Sequence, residues 1–108
     1  MGKMQRRKGY RVENEIVNYL KKHGIPAKRV PLSGSADGFK GDILIDESLK
    51  CEVKARKDGF KQIYDWLEGN DYLFLKANRK KVLVVMEIDE FIELLKTQSA
   101  FGVKKNGF

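Results

Sequence analysis

The apolar residues of this 108-residue chain change spacing from one segment to the next, and the order of those changes restricts the fold more than any other feature. Val12, Ile16, Val17, Tyr19 and Leu20 recur at helical spacing from about Gly9 to Lys22. Gly24 ends that segment after Lys21, Lys22 and His23, cations suited to a helix C-terminus. A short strand is expected over 25–31, then a polar loop over 33–41 that is long for a compact domain. Two strands follow, over 42–45 and 49–55, joined by a tight turn at Asp46-Glu47-Ser48. Phe60, Ile63, Tyr64 and Leu67 fall at i, i+3, i+4 and i+7, a second helix that Gly69 closes. Strands over 72–76 and 82–88 flank a polar turn, and a last helix runs from Asp89 with Phe91, Ile92, Leu94 and Leu95 inward. The order is αβββαββα. It predicts an α/β single domain, a central mixed sheet flanked by helices, with a flexible basic arm at 1–8, a folded body at 9–96 and a frayed tail at 97–108.

Several classes drop out. No stretch approaches the ~18 apolar residues of a membrane span, and no secretory leader opens the chain. A single cysteine, Cys51, cannot form an internal disulfide or a thiolate zinc site. A reducing, cytoplasmic compartment is the expectation. The net charge of +7 is uneven: residues 1–41 carry 10 cations against three acids, and residues 42–108 carry 12 of each. One-sided positive charge suits a polyanion, whose condensed counterions Lys and Arg displace. A solubilising surface with a basic arm would give the same totals.

Helix one holds one misplaced charge. At about 100° per residue, with Val12 set to 0°, the apolar side chains span roughly 340° to 140°, and Glu13 falls near 100°, inside that arc. A buried carboxylate needs an Arg or Lys, backbone donors or a metal, unless it snorkels to the boundary. On the strand Lys50-Cys51-Glu52-Val53-Lys54-Ala55, alternation puts Glu52 and Lys54 on one face, a pattern that a solvated strand face also explains. If the turn is Asp46–Ser48, residue i pairs with residue 94−i, which sets Asp42 opposite Glu52. Two carboxylates, or three with Glu13, beside a lysine suit a hard divalent cation and phosphate chemistry. The only histidine, His23, sits at a helix end and offers no Ser-His-Asp alternative.

Asp42, nine intervening residues, then Glu52-Val53-Lys54 resembles the PD-(D/E)xK nuclease signature, with Gly41 where proline is usual. Lys8-Gly9-Tyr10-Arg11-Val12-Glu13, Arg29-Val30-Pro31-Leu32-Ser33-Gly34-Ser35, Gly41-Asp42-Ile43 and Glu52-Val53-Lys54-Ala55-Arg56-Lys57-Asp58 resemble, in order and spacing, archaeal-type Holliday junction resolvases, including versions carried by bacteriophages. The resemblance covers residues 8 to about 68 well. It implies a PD-(D/E)xK nuclease-like fold and a catalytic set of Glu13, Ser33, Asp42, Glu52 and Lys54. The metal would be Mg²⁺, with Mn²⁺ a substitute, on Glu13, Asp42, Glu52 and the Val53 carbonyl. It further implies a homodimer that nicks opposed strands of a four-way DNA junction symmetrically, in the cytoplasm of a prokaryotic or virus-infected cell. Arg6, Arg7, Lys8, Arg11, Arg29, Arg56 and Lys57 are the candidates for backbone contacts. Tyr64, Trp66, Tyr72 and Phe74 are candidates for a dimer surface, with core packing the simpler account of any one. No membrane and no small-molecule substrate is expected. The alternatives are a small nuclease of the same superfamily acting on nicks, flaps or duplex, and a non-catalytic nucleic-acid-binding module.

Overall fold

The computed structural model describes residues 2–30 and 42–97, in the order α1 (Gly2–Lys22), β1 (Ala27–Arg29), β2 (Ile43–Ile45), β3 (Leu49–Cys51), α2 (Lys61–Leu67), β4 (Leu73–Leu75), β5 (Leu83–Val85) and α3 (Ile88–Lys96). This is the αβββαββα order that the apolar spacing predicts, and the class is α/β. The chain divides into two compact units, Met1–Ala55 and Arg56–Phe108.

In the first unit α1 begins at Gly2, not near Gly9, so the backbone of the expected arm is helical. Residues 3–8 are mostly good helix formers that carry no apolar stripe, so periodicity alone could not register them. The helix ends where expected. Gly24 takes φ 86°, its N–H donates to the Lys21 carbonyl at 3.0 Å, and the Ile25 N–H donates to the Leu20 carbonyl at 2.9 Å. That pair of bonds is a Schellman closure, which needs the left-handed conformation glycine adopts without a Cβ clash. The chain then enters β1, which α1 packs against.

The sheet order is β1-β2-β3, antiparallel throughout. Ile43 pairs with Cys51, Leu44 with Lys50 and Ile45 with Leu49, so every pair sums to 94 as the turn requires. Asp46 and Glu47 both have positive φ (52° and 61°), and the Ser48 N–H donates to the Ile45 carbonyl at 3.1 Å. Alternation turns Ile43 and Ile45 inward, each 1% exposed, as are Leu20 and Ile25. On β3, burial pushes the half-buried Cys51 thiol up from its ordinary range. Alkylation by iodoacetamide at pH 8 is therefore slower than for a free cysteine, and a rate equal to the free thiol would contradict this placement.

In the second unit α2 buries Leu67, and α3 buries Ile92 and Leu95. β4 and β5 form an antiparallel ladder with Phe74 opposite Val84. The expected central mixed sheet is thus two antiparallel sheets among the described residues, one in each unit. Short connections favour antiparallel neighbours, and the described pairings are all hairpin-type or antiparallel. α3 starts after Glu87, so Asp89 lies in its first turn with Glu90 rather than at its cap. There both acids face the positive end of the helix dipole. No described helix is long and apolar enough to cross a membrane.

Candidate active site

Asp42 is held by hydrogen bonds from both sides of the first sheet. It precedes β2, the central strand, and both neighbours bond to its backbone. The Val30 N–H donates to its carbonyl at 2.9 Å, and its own N–H donates to the Cys51 carbonyl at 2.6 Å. Its carboxylate is held as well: the Val53 N–H donates to Asp42 Oδ2 at 2.8 Å. The ladder of residue pairs ends at Ile43–Cys51, and the Asp42 N–H bonds the Cys51 carbonyl rather than that of Glu52, so the regular pairing that the turn predicts stops one step short of Asp42 and Glu52. Val53 enters as an amide donor that aims Asp42, a role the sequence did not suggest.

Beyond β3 the chain keeps its alternation. Glu52 and Lys54 are exposed while Cys51, Val53 and Ala55 are half-buried, so Glu52 and Lys54 share a face. Lys54 Nζ lies 3.2 Å from Glu52 Oε2, with both side chains more than half exposed. Such a pair adds little stability in water, where the two ions are well solvated. Its consequence is positional, because it keeps an ammonium beside a carboxylate.

Glu13 sits inside the apolar arc of α1 at 17% side-chain exposure, and its partner is an arginine. Arg29 Nε on β1 donates to Glu13 Oε1 at 3.0 Å, and the guanidinium carbon lies 3.7 Å from the centroid of the Tyr10 ring. The Tyr10 hydrogen bond, then that of Glu13, holds the guanidinium in its charged form, above its ordinary pKa. Tyr10 and Glu13 are three residues apart on one helix, the spacing that puts two side chains on one face. That spacing is the signal in the sequence for Tyr10 as a partner of the same site. Arg29, expected to contact DNA, is engaged here with the protein. Double substitution Arg29→Met with Glu13→Gln should show a coupling of about 1 kcal/mol in urea unfolding, between exposed and buried ion pairs. Strict additivity would mean the contact contributes nothing.

The other expected site residues are placed as follows. Ser33 lies outside the described residues. Arg6, Arg7 and Lys8 stand on the first turns of α1, and Arg11 is exposed farther along it. Arg56 and Lys57 are exposed and belong to the second unit. Among the described residues no group of three or more His, Cys, Asp or Glu is gathered as a metal would need, so Glu13 is not brought to Asp42 and Glu52 as a third ligand. The remaining set, two carboxylates with backbone carbonyls beside them, is all oxygen. It fits Mg²⁺, which binds through one or two carboxylates and completes its shell with water and substrate phosphate.

The family model described as archaeal Holliday junction resolvase matches residues 4–106 of the chain. No curated protein and no solved structure matches it.

Proposed function

The chain belongs to the archaeal Holliday junction resolvase family, and from that premise we propose that it is a metal-dependent endonuclease that resolves four-way DNA junctions by paired, symmetric nicks. The observation that supports the site assignment is the Val53 N–H bond to Asp42 Oδ2 at 2.8 Å, which ties the Asp42 carboxylate to the residue between Glu52 and Lys54. A protein that only bound phosphate would gain nothing from carboxylates facing its ligand.

Asp42, Glu52 and the Val53 carbonyl would hold Mg²⁺ or Mn²⁺, which supplies charge neutralisation at the phosphate and a lowered pKa for a bound water. The residues of the chain do the rest. Val53 donates to one oxygen of Asp42 and so fixes the direction of its lone pairs before substrate arrives. Glu52 keeps the Lys54 ammonium at the site, where it can orient the attacking water and stabilise its hydroxide form. Glu13 holds Arg29 against Tyr10, keeping a cation on β1, the neighbour of the strand that carries Asp42. Water adds to phosphorus in line, the bond to the 3′ oxygen breaks, and the products are a 5′-phosphate and a 3′-hydroxyl.

Paired nicking needs two sites in one complex, hence a homodimer. A supercoiled plasmid that extrudes a cruciform tests it, because two nicks within one binding event give linear product and single nicks give open circles. Linear product without accumulated open circle is expected. Open circle alone would overturn the paired reaction while leaving the nuclease standing.

A further inference from the structure

Lys76, Arg79, Lys80 and Lys81 lie within six residues at the tip of the β4–β5 hairpin, and all are exposed. No acid occurs between Asp71 and Glu87. The equal totals of charge over residues 42–108 conceal this block, because the acids that balance it stand elsewhere in the sequence. Lys76 Nζ donates to the Ala77 carbonyl at 2.8 Å, and among the described residues none of the four cations makes an ion pair.

The turn itself is unusual. The Lys80 N–H donates to the Ala77 carbonyl at 3.2 Å, and Arg79 inside the turn takes φ 61°. A turn selected only for closure would carry glycine or asparagine at that position. Asn78 stands one place too early, and the left-handed position is given to arginine. The hairpin thus bears both backbone strain and repulsion among neighbouring cations, and nothing among the described residues offsets either. Asp46 and Glu47 also take positive φ in the β2–β3 turn, so what sets this turn apart is the run of cations on it, unpaired among the described residues.

We infer that the Arg79-Lys80-Lys81 tip is a second DNA-binding element, contacting the phosphodiester backbone of a junction arm; this rests on the proposed function. Three cations on a projecting turn can meet successive phosphates without reading bases, and an arginine guanidinium can hold two phosphate oxygens at once. The element belongs to the second unit, and none of the Asp42, Glu52 and Lys54 chemistry lies on it.

The test is the salt dependence of binding to a fluorescent four-way junction in EDTA, from about 50 to 300 mM KCl. Each lost phosphate contact lowers the slope of log K against log salt by about 0.9. The triple variant Arg79→Gly, Lys80→Gln, Lys81→Gln should lose about 2 to 3 in slope, with affinity near 0.1 M salt falling by tens to hundreds of fold. Arg79→Gly alone should lose about 0.9 while its Tm stays level or rises, since glycine relieves the positive φ. Lys61→Gln, which removes an exposed charge paired with Asp65 in the same unit, should leave the slope unchanged. An unchanged slope in the triple variant, or a fall in Tm for Arg79→Gly, would overturn the inference. Wild-type protein that binds no junction would instead overturn the proposed function on which it rests.

Discussion

Asp42→Asn should lower junction cleavage by about three orders of magnitude and leave junction binding intact or tighter. The asparagine keeps an acceptor for the Val53 N–H, so the strand remains pinned, while the negative charge is gone. Charge neutralisation at a transferring phosphate contributes several kcal/mol, and each ~1.4 kcal/mol is a factor of about ten in rate. Removing a carboxylate that faces phosphates also relieves a repulsion, which is why binding holds. Glu52→Gln should behave alike. Asp42→Ala separates the two roles, because it also deletes the acceptor and should cost a further ~1–2 kcal/mol of stability. Wild-type cleavage by Asp42→Asn would remove Asp42 from the chemistry altogether.

Ile43→Ala should destabilise the protein by about 2–5 kcal/mol, the usual cost of truncating a fully buried aliphatic side chain. Ile43 is 1% exposed at the centre of the three-stranded sheet and adjoins Asp42. In a domain this small a loss of that size lowers Tm by roughly 10 °C or more. Leu44→Ala, on the opposite and partly exposed face of the same strand, should cost about 1 kcal/mol. Urea unfolding of the two variants distinguishes the faces. A larger loss at Leu44 than at Ile43 would mean that the register of β2 is off by one residue, which would also turn the residues on either side of it to the wrong face.

The parts of the fold legible in the sequence are those that local rules determine. Alternating isoleucines and a three-residue turn set the β2–β3 register from Ile43–Cys51 to Ile45–Leu49, while the step beyond it, Asp42 opposite Glu52, is where the regular bonding stops. The misfit of Glu13 on an apolar arc was visible too, along with its need for a partner. The partner was not, because Arg29 is 16 residues away and meets Glu13 only once β1 packs on α1. The extra helical turns before Gly9 escaped because a basic, unstriped segment has propensity but no period. The antiparallel pairs themselves are between strands consecutive in the chain, whereas whether the two groups of strands join into one sheet depends on long-range pairing, which apolar spacing does not encode. The cationic hairpin tip is legible only locally, because the 12 acids of residues 42–108 balance its charge from elsewhere in the sequence.

Cleavage of an end-labelled immobile four-way junction in Mg²⁺ tests the central claim most directly, beside linear duplex of the same arm sequences and the Asp42→Asn protein. The account predicts paired nicks at symmetric positions in opposed strands of the junction, and none in the duplex or with the variant. Equal cutting of junction and duplex would contradict junction selectivity. Tight junction binding without any cutting would leave a nucleic-acid-binding module and remove Asp42, Glu52 and Lys54 from catalysis.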